Sequence, residues 1–302
     1  MRIGIFGGEI AARGDLGEIT AAAAKVREDG FASYWLPQIF GLDALTALAV
    51  IGHEVPDIEL GTAVIPTYPR HPLMLAAQAL TVQQATDGRL ALGIGLSHQF
   101  VIEAMFGMSF AKPVGHMRDY LAILGPLLHG EAVSYSGSHL STNGTVSIPD
   151  AGAPPVLVAA LGTQMLRLTA RHAEGTITWM TGPSTLTEHI VPTITSAARE
   201  AGRTAPRIVG ALPVCVTDDP DRAREFAAKA FSIYGELPSY RAMLDREGAS
   251  GPADVAIVGD TDAVTSGIAR MKDAGITDFV AVEFGTNAAE RDATRELLVS
   301  LL

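Results

Sequence analysis

The sequence has 302 residues, 48% of them hydrophobic and 18% charged, so it can bury a large core and does not have the composition of a disordered chain. Its net charge of −11 and the absence of any basic run argue against nucleic acid as a main partner, because a surface that follows phosphates needs clustered Lys and Arg. Cys215 is the only cysteine, which excludes an intramolecular disulfide and fits a reducing compartment.

The beginning of the sequence enters an apolar run directly, without a charged leader and a cleavage site. No apolar run reaches the length that spans a membrane. We therefore expect a cytoplasmic protein with no membrane partner.

Short apolar runs alternate with helical patterns along almost the whole chain. The runs predict eight strands, at residues 3–6, 33–37, 60–65, 89–95, 155–161, 176–180, 208–216 and 279–284. The helical patterns between and after them predict helices at residues 18–29, 43–52, 73–86, 116–129, 163–172, 187–201, 261–274 and 288–302. Asp43 is placed to cap the second helix and Thr261 or Asp262 the seventh, while Gly30 and Gly275 follow helix ends.

Two regions depart from this alternation. After strand four, a helical piece at residues 100–106 and a polar excursion at 130–153, whose pattern allows a hairpin, precede the next strand. After strand seven, residues 218–259 contain a helical pattern at 221–234 and an apolar piece at 255–258. Consecutive βα units without a break in composition predict an α/β fold, a (β/α)₈ TIM barrel formed as one domain by residues 1–302.

An open, doubly wound sheet is the structural alternative. A ninth strand at residues 255–258 would favour it, as would a phosphate-binding glycine fingerprint after strand one. Phe6-Gly-Gly-Glu9 is not that fingerprint, because the glycine spacing and the later acidic residue are missing.

The end of strand three is marked by prolines. Pro66, Pro69 and Pro72 remove backbone donors and cannot continue a sheet. The strand therefore ends in a stiff loop at its carboxyl end, where ligands bind in barrels of parallel strands. That loop carries Thr67, Tyr68, Arg70 and His71.

Glycines also end strands four and five. Gly93-Ile-Gly-Leu-Ser-His98 lets backbone amides approach a flat or anionic ligand, and Ala159-Ala-Leu-Gly-Thr-Gln164 opens a helix whose free N–H groups favour an anion. Either segment alone would be explained by a tight βα turn. Their occurrence on neighbouring strands favours a cofactor that carries a phosphate.

Five motifs in chain order resemble the bacterial luciferase-like superfamily, and more narrowly its actinobacterial branch that uses the deazaflavin coenzyme F420. The motifs are Gly61-Thr-Ala-Val-Ile-Pro66, Arg70-His-Pro72, Leu92-Gly-Ile-Gly-Leu-Ser-His98, Val158-Ala-Ala-Leu-Gly162 and Glu174-Gly-Thr-Ile-Thr-Trp179. The resemblance implies a TIM barrel that holds a flavin-type ring at the carboxyl ends of its strands. It also implies a cis peptide bond between Ala63 and Val64 that bulges against this ring.

The same resemblance implies the cofactor-binding residues. The phosphate would lie against Leu161, Gly162, Thr163 and Gln164, after Ala160. The segment Gly95, Leu96, Ser97 and His98 would support the tail, and Thr178 and Trp179 would lie nearby. Arg70 would contact the anionic tail or pair with a carboxylate at the rim.

The acid–base residues are less clear from the resemblance, since many relatives have a histidine where this chain has Gln38 and some a glutamate where it has Leu96. Gln38 can form hydrogen bonds but cannot carry protons. His98 titrates in the useful range, although it could equally be a hydrogen-bonded loop residue. Glu9 could face the barrel mouth or be a solvated loop carboxylate, and Glu283 could point inward or pair with a rim cation. No metal-ligand spacing is present.

The function implied is an F420-dependent oxidoreductase that moves a hydride between the deazaflavin C5 and a small organic substrate. One alternative is an FMN-dependent luciferase-like monooxygenase on the same barrel. Another is a non-catalytic barrel that binds a flavin-type ligand. The resemblance also implies a homodimer.

Overall fold

Eight parallel strands close on themselves in the computed structural model, which describes residues 1–302. Each pairs with its neighbours in chain order, and the pairing of the first strand with the last closes the barrel. The strands are β1 (Arg2–Phe6), β2 (Ser33–Leu36), β3 (Glu59–Thr62), β4 (Leu90–Gly95), β5 (Val156–Ala159), β6 (Gly175–Trp179), β7 (Arg207–Val216) and β8 (Asp278–Glu283). The prediction of a (β/α)₈ barrel is confirmed.

One helix of 10 to 16 residues follows each strand and covers the outside of the barrel. These helices are α1 (Leu16–Glu28), α2 (Ala44–Glu54), α3 (Pro72–Ala85), α4 (Pro113–Leu128), α5 (Thr163–His172), α6 (Val191–Glu200), α7 (Thr261–Asp273) and α8 (Ala288–Ser300). No helix combines the length and the apolar character that crossing a bilayer requires.

Acidic and amide side chains cap half of these helices at their N-termini. Asp15, Asp43, Asp260 and Asn287 each accept a hydrogen bond from an amide of the first turn. The prediction for Asp43 is confirmed, whereas the predicted cap of α7 at Thr261 or Asp262 is wrong. Asp260 is extended and accepts from the Ala263 amide at 2.8 Å, so the cap lies one residue before the predicted positions, while the helix begins at Thr261 as predicted.

Further elements lie between the barrel units. The excursion after β4 contains a π-helical turn and an antiparallel hairpin. The excursion after β7 contains four helices of 4 to 11 residues, where a single helix at 221–234 was expected. Pro238 separates the second and third of them, since proline has no amide to continue a helix but is accepted in its first turn. The elements are Gly8–Arg13, Val101–Met105, Val133–Ser136 with Ser141–Gly144, Pro183–Thr185, Leu186–Ile190, Pro220–Ala230, Ile233–Glu236, Pro238–Glu247 and Pro252–Val255.

A ninth parallel strand does exist at Ile257–Gly259, but it lies outside the barrel. It pairs with the last three residues of β7, beyond the part of β7 that pairs with β6. Because β7 also pairs with β8, and β8 with β1, the barrel closes regardless of this strand. The open, doubly wound alternative is therefore wrong.

The lower half of the barrel interior is filled by an indole ring and an ion cluster. Trp35 is fully buried, and Gly61 makes room for it, since a Cβ there would lie 2.1 Å from the ring. Below the ring, Arg207 bonds to Glu59 and Asp278 at the amino ends of β3 and β8. Its guanidinium carbon lies 5.7 Å from the Trp35 ring centre. This end of the barrel is closed.

Candidate active site

Strand β3 breaks at the position that the resemblance singled out. The Ala63–Val64 peptide bond is cis, and strand pairing with β4 resumes at residues 65–66. Across the gap, the Thr62 hydroxyl donates to the Gly93 carbonyl and accepts from the Gly93 amide, both at 2.8 Å. A Cβ at Gly93 would lie 1.9 Å from the Thr62 carbonyl oxygen, so only glycine permits this close approach.

The floor of the barrel mouth is apolar. Half-buried side chains at the carboxyl ends of the strands pack on the interior cluster that contains Trp35, and they remain partly open on the other side. Gly95 leaves space among them, because a Cβ there would lie 2.6 Å from Val64 and 3.2 Å from Ala159. This floor is formed by Phe6, Ala63, Val64, Ala159 and Trp179.

The N-terminus of α5 opens beside this floor without a cap. Gly162 occupies the capping position, and no side chain accepts from the first-turn amides. A helix start leaves its first four amides without an intrahelical partner, so those of Gly162, Thr163 and Gln164 are free to bind an acceptor. No atom lies within 4 Å of a Cβ built at Gly162, and Thr163 and Gln164 are exposed. The site fits a phosphate group both electrostatically and sterically.

The carbonyl groups of the preceding loop are held by two side chains that the sequence did not indicate. His189 Nε2 lies 2.8 Å from the Leu161 carbonyl oxygen. The Thr176 hydroxyl lies 2.8 Å from the Val158 oxygen and 3.4 Å from that of Ala160. His189 lies in none of the five motifs, and the Glu174–Trp179 motif, which contains Thr176, does not indicate its contact with the loop.

Two buried polar atoms near the mouth lack a hydrogen-bond partner, Tyr68 Oη and Trp179 Nε1. Tyr68 stacks on His116, with ring centres 3.9 Å apart, and burial raises its pKa to about 12. Trp179 makes edge contacts with Phe231 and Tyr234, and its Nε1 lies toward the Tyr234 hydroxyl without a hydrogen bond of normal geometry. Since buried polar atoms are nearly always paired, both atoms are suited to meet a ligand.

Of the three acid–base candidates, His98 has the most suitable surroundings. It follows β4, is half-buried, and lies 6.0 Å from the rings of Phe100 and Tyr240. Burial lowers the pKa of His98, so the neutral imidazole, which can accept a proton, predominates at neutral pH.

Gln38 and Glu9 already have protein partners. The Gln38 side-chain oxygen accepts from the Ala44 amide at 2.9 Å and from Arg70 at 3.4 Å, so it helps to hold the start of α2. Glu9 lies in the helix Gly8–Arg13 and forms an exposed ion pair with Arg13. Neither arrangement supplies a titrating group to the mouth.

The two charged residues that had alternative interpretations are both ion-paired. Arg70 pairs with Asp43 and donates to Gln78 at 2.7 Å. Glu283 pairs with Arg295. Of the two alternatives given for each residue, pairing with an opposite charge is therefore the one observed.

The remaining residues predicted to bind the cofactor differ in how far they are buried. Leu96 and Ser97 are half-exposed after β4, and Ser97 has a left-handed backbone with φ of 62°. Ala160 is buried at the end of β5, and Thr178 is buried, with its hydroxyl donating to the Val209 carbonyl. No group of three His, Cys, Asp or Glu side chains is placed to hold a metal ion.

Comparison with known proteins gives consistent matches over nearly the full length. The family profile described as luciferase-like monooxygenase matches residues 2–297. A 5,10-methylenetetrahydromethanopterin reductase from Methanolobus tindarius is 27% identical over 259 residues, which cover 84% of this chain and 78% of that protein.

Two solved structures share the architecture. The coenzyme F420 dependent tetrahydromethanopterin reductase from Methanopyrus kandleri has a TM-score of 0.81 at 22% identity, covering 99% of this chain and 97% of that one. The oxygenating component of 3,6-diketocamphane monooxygenase from Pseudomonas putida, in complex with FMN, has a TM-score of 0.77 at 18% identity, covering 99% and 97%. At these identities the likeness establishes the fold.

Proposed function

The chain belongs to the luciferase-like monooxygenase family, and on that premise we propose that it is a coenzyme F420-dependent oxidoreductase. The observation that carries this proposal is the uncapped start of α5, open beside an apolar floor at the barrel mouth. A molecule with a flat ring system and a phosphate needs such a floor and such an anion site next to each other. Bound there, the deazaflavin would supply hydride chemistry at its C5 position.

The residues have distinct roles in this proposal. The amides of Gly162, Thr163 and Gln164, after Ala160 and Leu161, hold the phosphate. Ala63 and Val64, the half-exposed residues at the break in β3, pack against one face of the ring, and Trp179 borders it. The segment from Gly95 to His98 supports the tail.

His98 is the proposed proton-exchanging group. Its neutral ring accepts a proton when the substrate is oxidised and returns one in the opposite direction. Gln38 and Glu9 contribute hydrogen bonding or charge at the edge of the mouth rather than proton transfer, in keeping with their protein partners.

The proposed substrate is a small organic molecule above the exposed ring face. Large apolar side chains on the loops after β2, β4 and β7 are exposed and could contact it. They include Ile39, Phe40, Phe100, Met105, Phe106 and Ile233.

The second candidate is an FMN-dependent monooxygenase, favoured by the FMN-bound structure of the same fold. The relative at 27% identity is named as a reductase and not as an oxygenase, which favours hydride transfer over oxygen activation. Unlike a flavin, a deazaflavin transfers hydride without activating oxygen, so the two candidates differ in their need for O₂.

Titration of the purified protein with F420 and with FMN, followed by ligand fluorescence, tests the proposal. We expect saturable binding of F420, and anaerobic oxidation of reduced F420 with a panel of activated alkenes and imines. Preferential binding of FMN with oxygen-dependent turnover would support the second candidate. Failure to bind either ring system would contradict both and favour a barrel without this cofactor.

We also propose that the protein acts as a homodimer, since apolar side chains such as Met74 on α3 and Val299 on α8 are exposed on the outer helices. Sedimentation velocity measures this directly. A single species with the mass of one chain would contradict it.

A further inference from the structure

His189 lies behind the proposed phosphate site rather than in it. It belongs to the π-helical turn Leu186–Ile190, and only 8% of it is exposed. Its Nε2 lies 2.8 Å from the carbonyl oxygen of Leu161, which is 28 positions earlier in the chain. A carbonyl oxygen can only accept, so Nε2 carries the proton in this bond.

This bond determines where the next amide points. The Leu161–Gly162 peptide is planar and trans, so its N–H points opposite to its C=O. With the Leu161 carbonyl directed at a buried histidine, the Gly162 N–H is directed away from the interior. Gly162 itself is exposed, and a Cβ built on it would meet no atom within 4 Å.

A second side chain restrains the same loop from the neighbouring strand. The Thr176 hydroxyl of β6 is shared between the carbonyl oxygens of Val158 and Ala160. The carbonyl groups of Val158, Ala160 and Leu161 thus have inward partners in these two side chains, while the amides that follow remain free. Without these partners, a carbonyl of this loop could rotate outward and present negative charge to an anion.

We propose that His189 is a positioning residue for the phosphate site, fixing the Leu161–Gly162 peptide so that its N–H faces the phosphate. The inference rests on the proposed function, because it assumes a flavin-type ligand with a phosphate at Gly162. His189 does not touch that ligand but acts through the loop. A merely structural role would weaken binding of the whole ligand, whereas the positioning role weakens only the phosphate contribution.

The test compares ligands that differ in the phosphate. Dissociation constants are measured by fluorescence for FMN and riboflavin, which differ only in that group. They are also measured for F420 and its ribityl deazaflavin core, which lacks the phosphate and the acidic tail beyond it. In His189→Leu, we expect affinity for the phosphorylated member to fall about tenfold, equivalent to about 1.4 kcal/mol, with the phosphate-free member unchanged. His189→Gln keeps an N–H donor of similar reach, so it should stay within about threefold of the wild type.

His129→Leu is the control. His129 Nδ1 lies 2.9 Å from the Gly125 carbonyl oxygen at the exposed end of α4, so this variant loses an exposed histidine–carbonyl bond away from the site. Its phosphate preference should equal that of the wild type. If His189→Leu does not fold, His189→Asn, with a shorter amide, replaces it in the comparison.

The outcomes separate the two levels of the proposal. Equal losses for both members of a ligand pair, or an unchanged preference in His189→Leu, would overturn the role of His189 while leaving the site intact. A wild-type protein with no preference for the phosphorylated members would overturn the phosphate site as well, and the proposed function with it.

Discussion

The two ends of the barrel differ in whether their polar groups have partners within the protein. At the amino end of the strands, Arg207 bonds to both Glu59 and Asp278, and Arg2 approaches the same two carboxylates at 3.3 Å. At the carboxyl end, the first amides of α5 are uncapped, and Tyr68 Oη and Trp179 Nε1 have no partner.

The difference indicates which end contributes stability and which contributes function. Asp278 is almost fully buried, and its charge is tolerable because Arg207 and Arg2 lie beside it. The donors at the other end lack a partner within the protein, which fits the binding site proposed there. This agrees with the general location of active sites in TIM barrels at the carboxyl end of the strands.

The largest effect is expected from breaking the closed end. Arg207→Met removes the cation from two carboxylates and should lower the free energy of unfolding by about 3–5 kcal/mol. Urea denaturation measures the loss. Arg13→Met is the control, because the Arg13–Glu9 pair is exposed and should contribute at most about 1 kcal/mol. Equal losses in the two variants would contradict the contrast between the ends.

At the open end, His98→Gln should lower the rate of substrate oxidation about 100-fold while the cofactor dissociation constant changes little. Burial lowers the pKa of His98, so its neutral form persists below the ordinary value of 6.5. The wild-type rate should therefore fall with decreasing pH only below 6.5, as the ring becomes protonated, and the variant should lose this dependence. A pH dependence retained in His98→Gln would assign proton transfer to another group.

Two glycine substitutions at the barrel mouth should separate an effect on stability from an effect on ligand binding. Gly93→Ala places a methyl group against the Thr62 carbonyl oxygen and should destabilise the fold by about 1–3 kcal/mol. Gly162→Ala meets no protein atom, so stability should be unchanged while affinity for phosphorylated ligands falls about tenfold. Denaturation and ligand titration of both variants check this. Normal phosphate affinity in Gly162→Ala would exclude close approach at that position.

A small gain in stability is expected when the open helix is given a cap. Gly162→Asp supplies an acceptor for the first-turn amides of α5 and should stabilise the fold by a few tenths of a kcal/mol. The same carboxylate occupies and repels the phosphate position, so binding of phosphorylated ligands should be lost. Retained binding would show that the phosphate does not use these amides.

The barrel itself was predictable because its signal is local. Each buried strand is a short apolar run, and helix caps such as Asp43 and stops such as Gly30 lie beside the patterns they end. Asp260, Thr261 and Asp262 are adjacent and can all cap a helix, so the sequence pattern did not identify which of them does. The helices after β7 were unclear because they are polar and short, and the breaks between them depend on packing.

The site was predictable only where glycine or the resemblance marked it. The open start of α5 and the cis bond at Ala63–Val64 were expected, and the structure has both features. The pairing of Arg70 with Asp43, and the bond from His189 to Leu161, join residues about 27 positions apart. Such contacts arise from the closure of the barrel, and no spacing in the sequence encodes them.

The indole of Trp35 has one more consequence for the working molecule. Together with the charged side chains below it, this ring closes the amino end of the barrel, so the interior opens only at the carboxyl end. In the proposed function the cofactor rests on the floor with the substrate above it, so the cofactor would have to enter first and leave last. Binding of the two ligands should therefore be sequential, and an excess of the substrate should slow exchange of the cofactor.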